Sequence, residues 1–273
     1  MLTQPPGATI GMSVGEVIAK PIELWSCGGG RQSAGIAAFI KEGLLPRPDH
    51  VAMVALEWEV RTVWPYVNKY IRPTIESLGI PFTVIPRKKY ATKGFWGGAD
   101  GDSILLPVYS NQSGERSKLP EYCSGEWKRE VVLRWANDAH PDWQKRGVNN
   151  WVGISKDEAG RRGVAKRKWF QPVYPLLDVL CARVSSCLAA VERQGWPPPP
   201  RSRCAHCPNQ SDREWGELDA EEFEQTCLLD ESIRNVDPHA FLHKKLIPLR
   251  MVKLNIEDDN GGLFGGCSSG TCY

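Results

Sequence analysis

Apolar and polar positions alternate with two different periods along the first half of the chain. Short apolar runs at Ile22-Glu23-Leu24-Trp25, His50 to Glu57 (HVAMVALE) and Pro81 to Pro86 (PFTVIP) predict buried strands. Between them, Ala34 to Glu42 (AGIAAFIKE) and Thr62 to Leu78 predict helices. In the second of these, Val63, Val67, Tyr70, Ile71, Ile75 and Leu78 fall on helical spacing. Glu126 to Asn137 predicts an amphipathic helix and Asn150 to Ile154 a fourth strand. Pro175 to Glu192 predicts a further helix with its proline in the first turn. Strands alternating with helices predict βαβ units, so the expected fold is α/β: a Rossmann-like, open, mainly parallel sheet flanked by helices.

The polar stretches divide the chain. Residues 1–18 read as a loose N-terminal arm, and residues 19–195 carry the α/β pattern. Residues 87–121 are polar and glycine-rich without a period. They predict a long mobile loop over the sheet, the expected seat of substrate specificity. The run GWPPPP ends the helical pattern, because four prolines cannot continue a helix. Residues 196–273 then form a cysteine-rich helical appendage with one clear helix, Ala220 to Arg234, and a glycine- and cysteine-rich tail.

Composition narrows the class. The chain has 273 residues, 41% hydrophobic and 24% charged, enough for a sizeable core. Its 34 basic and 32 acidic residues exclude a general cationic coat but leave room for a local basic patch. No run of about 18 apolar residues predicts a membrane span. The N-terminus does not read as a secretory signal, so a cytoplasmic protein without a membrane partner is expected. Nine cysteines in such a chain point to metal, redox chemistry or buried thiols before disulfides. The eleven tryptophans are expected mostly in the core.

Two stretches carry candidate chemistry. SCGGGRQSAG, Ser26 to Gly35, stands between a predicted strand and a predicted helix. Glycines let a backbone approach oxygens closely, and a helix N-terminus favours phosphate, so the stretch reads as a phosphate cradle or as a tight strand-to-helix turn. It is neither a Gly-Lys-Ser/Thr P-loop nor a G-x-G-x-x-G fingerprint. Cys204-Ala-His-Cys207 has the spacing of a knuckle around one metal or cluster edge, of a redox dithiol, or of two buried thiols. The prolines before it and Pro208 after it favour the knuckle, with His206 a bystander. Cys27, Cys181 and Cys227 read as ordinary buried thiols.

SCGGGRQS resembles the Ser-x-Gly-x-Gly-x-Gln-Ser form of the phosphate loop in the phosphoadenosine phosphosulfate (PAPS) reductase-like branch of the PP-loop ATP pyrophosphatases, a branch common in phages and bacteria. Gln32 stands where the general signature has an acid. Further matches follow in order: Glu59 and Trp64 after the second strand, Cys123 and Lys128 in EYCSGEWK, and Gly153, Asp157, Glu158, Arg161 and Arg162 in VGISKDEAGRR. Arg183 and Cys187 come next, then Ser202, Cys204, Cys207, Pro208 and Trp215. Ala55, Leu56 and Glu57 replace the family's Asp-Thr-Gly, and the Glu-Cys-Gly-Leu-His motif of true reductases is absent.

The resemblance implies an adenine nucleotide, ATP with Mg²⁺ or PAPS, held by Ser26, Gly28, Gly29, Gly30, Arg31, Gln32, Ser33, Glu59 and Gly153. It implies catalytic roles for Lys128, Arg161, Asp157 and the tail cysteines Cys267 and Cys272. It also implies a [4Fe–4S] cluster, with Zn²⁺ as the second choice, on Cys123, Cys187, Cys204 and Cys207. The activity implied is adenylation-linked sulfur transfer, with nucleic acid or a sulfur-donor protein as partner. A PAPS reductase using a cysteine nucleophile, and a non-catalytic nucleotide-binding phage accessory protein with a zinc knuckle, are the alternatives.

Overall fold

A computed structural model describes residues 19–97 and 103–256. Five strands form one parallel sheet: β1 (Ile22–Ser26), β2 (His50–Ala55), β3 (Phe82–Pro86), β4 (Val148–Val152) and β5 (Phe170–Val173), in the order β3-β2-β1-β4-β5. The protein is therefore an α/β fold of the expected doubly wound kind.

Both faces of the sheet are covered, so successive residues of one strand enter different cores. Trp25, Val51, Met53 and Trp151 pack with α1 (Arg31–Lys41), with the long α2 and with α4 (Val184–Arg193). Helix α2 runs through Val63–Tyr66, a π-helical turn at Val67–Ile71, and Arg72–Ser77. Ile22, Leu24, Ala52, Val54 and Ile85 face the other way. They meet α3, which starts as a π-helical turn at Gly125–Arg129 and continues through Glu130–Ala139, together with α5 (Asp212–Gly216) and α6 (Ala220–Val236). Trp215, Cys227 and Ile233 of the cysteine-rich region belong to this second core. Among the described residues, six tryptophans are buried: Trp25, Trp127, Trp135, Trp143, Trp151 and Trp215.

Three local expectations change. The stretch 87–121 is not a loose loop among its described residues. Arg87–Tyr90 is a helical turn, and Leu105, Leu106 and Val108 are buried. Tyr109–Ser110 pairs antiparallel with both Ser117–Lys118 and Ala240–Phe241. Strand β5 follows where no strand was expected; Pro172 is tolerated there because β5 is an edge strand. The helix expected over Pro175–Glu192 breaks. A π-helical turn at Pro175–Val179 ends, Cys181 takes φ +48°, and α4 begins at Val184. Cys181 is thereby exposed, not buried as expected. No helix among the described residues is long and apolar enough to cross a membrane. The arm at 1–18 and the tail cysteines Cys267 and Cys272 lie outside the described residues.

Candidate functional site

The chain leaves β1 toward β2 and β3 on one side and returns as β4 and β5 on the other, so β1 and β4 flank a topological switch point. Open α/β sheets leave a crevice there, beyond the carboxyl ends of the strands. The Ser26 hydroxyl donates to Asn150 Oδ1 at 2.6 Å and ties the two strands at this place. The glycine stretch then turns back on itself: Gly28 N–H donates to Ser33 Oγ at 2.9 Å. Gly29 has φ +75°, and a Cβ there would lie 2.7 Å from Val63 Cγ1. At Gly30 a Cβ would lie 2.8 Å from the Ser202 backbone nitrogen. Only glycine permits both approaches. Gly30 is also the N-cap of α1 and offers no capping side chain, so no side-chain cap occupies the first-turn amides.

A cavity of about 170 Å³ opens at this point. Ser26, Gly28, Gly30, Arg31, Gln32 and Ser33 line it from the loop, Lys128 from α3, and Gly153, Glu158 and Arg161 from the end of β4 and the 3₁₀ turn Lys156–Arg161. Arg201, Ser202, Arg203, Asn209, Glu121, Cys123, Cys204 and Cys207 close the far wall. Gln32 Nε2 donates to Glu158 Oε2 at 2.8 Å, and Arg161 donates to Glu158 Oε1 at 2.5 Å. Glu158 thus holds Gln32 and Arg161 together at the cavity wall.

Lys128 Nζ stands 3.7 Å from Glu59, which is buried and also accepts from Ser202 Oγ at 2.7 Å. Burial works against the Lys128 charge, but Glu59 and the thiols of Cys204, Cys123 and Cys207 hold its pKa above the ordinary lysine value.

The cysteine wall is built by pairing. The segment after β2 and the knuckle join through Val60 N–H to Arg203 O at 3.0 Å and Ala205 N–H to Trp58 O at 2.9 Å. These set Glu59 opposite Cys204 in an antiparallel bridge. Arg203 donates to Gln210 Oε1 at 2.8 Å, and Gln210 donates to Ala205 O at 2.7 Å, which clamps the Cys204–Cys207 turn. Cys123 is fixed from the other side by its N–H to Leu105 O at 3.1 Å. Burial pushes all three thiols upward; Cys204 also feels Cys207 and Cys123, and Cys123 feels Cys207. His206 does not line the cavity. Its ring packs 4.8 Å from Phe95 and 5.3 Å from Trp58, and burial holds its pKa down to about 3. Among the described residues, no three Cys, His, Asp or Glu side chains form a group able to share one metal ion.

Among the described residues, the structure brings most of the sequence-predicted ones to this cavity, with four exceptions. Gly29 shapes the loop from beneath, against Met53 and Val63. Glu59 stands behind Lys128. Asp157 turns away: it accepts from Val184 N–H at 2.7 Å and from Arg183 at 3.0 Å, so it caps α4. Cys187 lies in the contact between α1 and α4, where a Cβ on Gly35 would come within 2.8 Å of its Sγ. Its position answers to helix packing, not to the other cysteines. Sequence reasoning missed Glu121, Arg201, Arg203 and Asn209 as cavity residues, and named Glu158 as a motif match without a site role of its own. Glu158 was within reach, since it adjoins Asp157 in a charged turn, and only the turn's direction decides which carboxylate faces in.

No family model matches the chain, and no curated protein matches it. Among solved structures, the chain is similar to U34-tRNA thiolase NcsA from Methanococcus maripaludis with its [4Fe–4S] cluster, at 14% identity over 81% of this chain and 68% of that one, with a TM-score of 0.43.

Proposed function

We propose that the protein is a PP-loop enzyme that binds ATP, adenylates an oxygen of an acceptor with release of pyrophosphate, and supports replacement of that oxygen by sulfur. One observation carries the reading: a single cavity at the switch point of the sheet holds both an uncapped, glycine-lined helix start and three cysteine thiols.

The triphosphate suits the loop end. The amides at the α1 N-terminus, from Gly30 to Ser33, offer donors, and Arg31, Lys128 and Arg161 supply cations. Attack of an acceptor oxygen on the α-phosphorus forms one P–O bond and breaks another. The electron pair leaves with pyrophosphate, whose charge these groups stabilise. Glu158 keeps Arg161 and Gln32 at the wall, and the buried Glu59 keeps Lys128 charged and aimed inward.

The cysteine end offers soft donors: Cys123, Cys204 and Cys207 line one wall of the cavity, and thiolates suit an iron–sulfur cluster. Those three would hold a [4Fe–4S] cluster, and the chemistry it would supply is sulfur delivery.

The test is anaerobic purification with visible spectroscopy and iron and zinc analysis, followed by pyrophosphate release from ATP. The expected result is iron-dependent absorbance and pyrophosphate formation. Zinc without iron, or sulfite release from PAPS in place of pyrophosphate release from ATP, overturns the proposal.

A further inference from the structure

A nucleoside triphosphate is commonly accompanied by Mg²⁺, which proteins hold through one or two carboxylates together with the phosphates. The glycine loop has no carboxylate to offer. Gln32, in the first turn of α1, stands where the general PP-loop signature has an acid. Among the described residues that line the cavity, only Glu121 and Glu158 carry a carboxylate. Glu121 accepts from Asn209 Nδ2 at 3.0 Å and stands close before Cys123 in the chain, so it belongs to the thiol end. Glu158 belongs to the loop end. Its side chain is 11% exposed. Its Oε2 accepts from Gln32 Nε2 at 2.8 Å, and its Oε1 accepts from Arg161 Nη1 at 2.5 Å. A carboxylate from the turn after β4 is thereby tied to the helix start that suits phosphate, at the very side chain that departs from the signature.

We infer that Glu158 is the Mg²⁺ carboxylate of the nucleotide site, supplied from the turn after β4 in place of the acid that position 32 lacks, with Gln32 as the positioning residue that aims it. This rests on the reading of the cavity as an ATP site. Gln32 suits the positioning role alone, because its amide is uncharged and its donor end is committed to Glu158. The bond to Arg161 makes the site an exchange of partners. Before nucleotide arrives, Arg161 and Glu158 neutralise each other. With Mg²⁺ and ATP bound, Arg161 passes to phosphate and Glu158 to the metal, so neither charge is left alone in a largely buried place. The carboxylate then serves the metal only when the phosphates have taken its arginine, which couples the two ligands.

The experiment is calorimetric binding of a non-hydrolysable ATP analogue to the full chain, first in EDTA and then across rising Mg²⁺. The wild-type chain is expected to bind the analogue roughly five- to hundredfold tighter at saturating Mg²⁺ than in EDTA, the usual size of coupling between two ligands. Glu158→Gln is expected to raise the half-saturating Mg²⁺ concentration roughly ten- to hundredfold. The reversed pair Q32E/E158Q keeps a hydrogen bond between the two positions and returns the carboxylate to the loop, so it should recover most of the lost Mg²⁺ affinity. Both variants are nearly isosteric with the wild type, and thermal melts check their folding. Three results each overturn the inference and leave the ATP reading standing. The first is a wild-type affinity that ignores Mg²⁺. The second is a loss in Glu158→Gln that is equal with and without Mg²⁺, as an anchor for Arg161 alone would give. The third is a reversed pair no better than Glu158→Gln. A wild-type chain that binds the analogue in neither condition overturns the ATP reading itself, and the inference with it.

Discussion

Two neighbouring carboxylates show how much one peptide step decides. Asp157 caps α4 and Glu158 faces the cavity. Asp157→Ala is expected to cost ~0.5–2 kcal/mol of stability, as loss of a cap does, while ATP affinity changes little. Glu158→Gln should keep the melting temperature and lose turnover, since Arg161 and Gln32 lose their shared anchor. Thermal melts and pyrophosphate release on the two variants check this; equal effects on turnover would refute the division. The cysteines divide in the same way. Cys123→Ser, Cys204→Ser and Cys207→Ser are each expected to lower iron content sharply, and Cys187→Ala to leave it unchanged. The sequence placed Cys187 with the other three by motif order. What order cannot convey is that α4 packs this thiol against α1 at Gly35.

The contact between α1 and α4 depends on Gly35, where an added Cβ would stand 2.4 Å from Cys187 Cβ. Gly35→Ala is expected to destabilise by ~1–3 kcal/mol through overpacking, read as a lowered melting temperature, and Gly35→Ala with Cys187→Ala should recover part of it. The main elements were legible because their signals are local. Val63 to Leu78 shows its apolar stripe directly, and the glycines mark the β1–α1 turn. The elements that escaped reading depend on distant partners. Phe170–Val173 is a strand because Val148–Trp151 lies beside it. Leu105 to Val108 is ordered because its side chains join the second core. The break at Cys181 is held from outside, by Lys156 N–H on Ala182 O at 2.8 Å.

At the scale of the whole molecule, the sheet has a chemical end and a structural end. The structural end includes His50 at the start of β2, which bonds Thr83 at 2.8 Å and sits among Trp135, Trp143 and His140. Burial, then the charge of His140, lowers its pKa to about 4. A ring with a folded pKa below its unfolded value of about 6.5 favours the fold when neutral. This contribution is complete above about pH 6.5 and is lost as pH falls toward 4. His50→Gln should therefore show a smaller loss of stability between those pH values in urea unfolding, and an unchanged loss would exclude His50 as a source.

At the chemical end, the loop and the knuckle meet backbone to backbone at Gly30 and Ser202. Two ligand sites that share a wall have a direct route for coupling. If filling the cysteine site changes the affinity for ATP by some factor, ATP must change the retention of whatever the cysteines hold by that same factor. Nucleotide would then act on the cysteine centre as an effector as well as a substrate, so the centre's equilibrium occupancy becomes a measure of nucleotide occupancy.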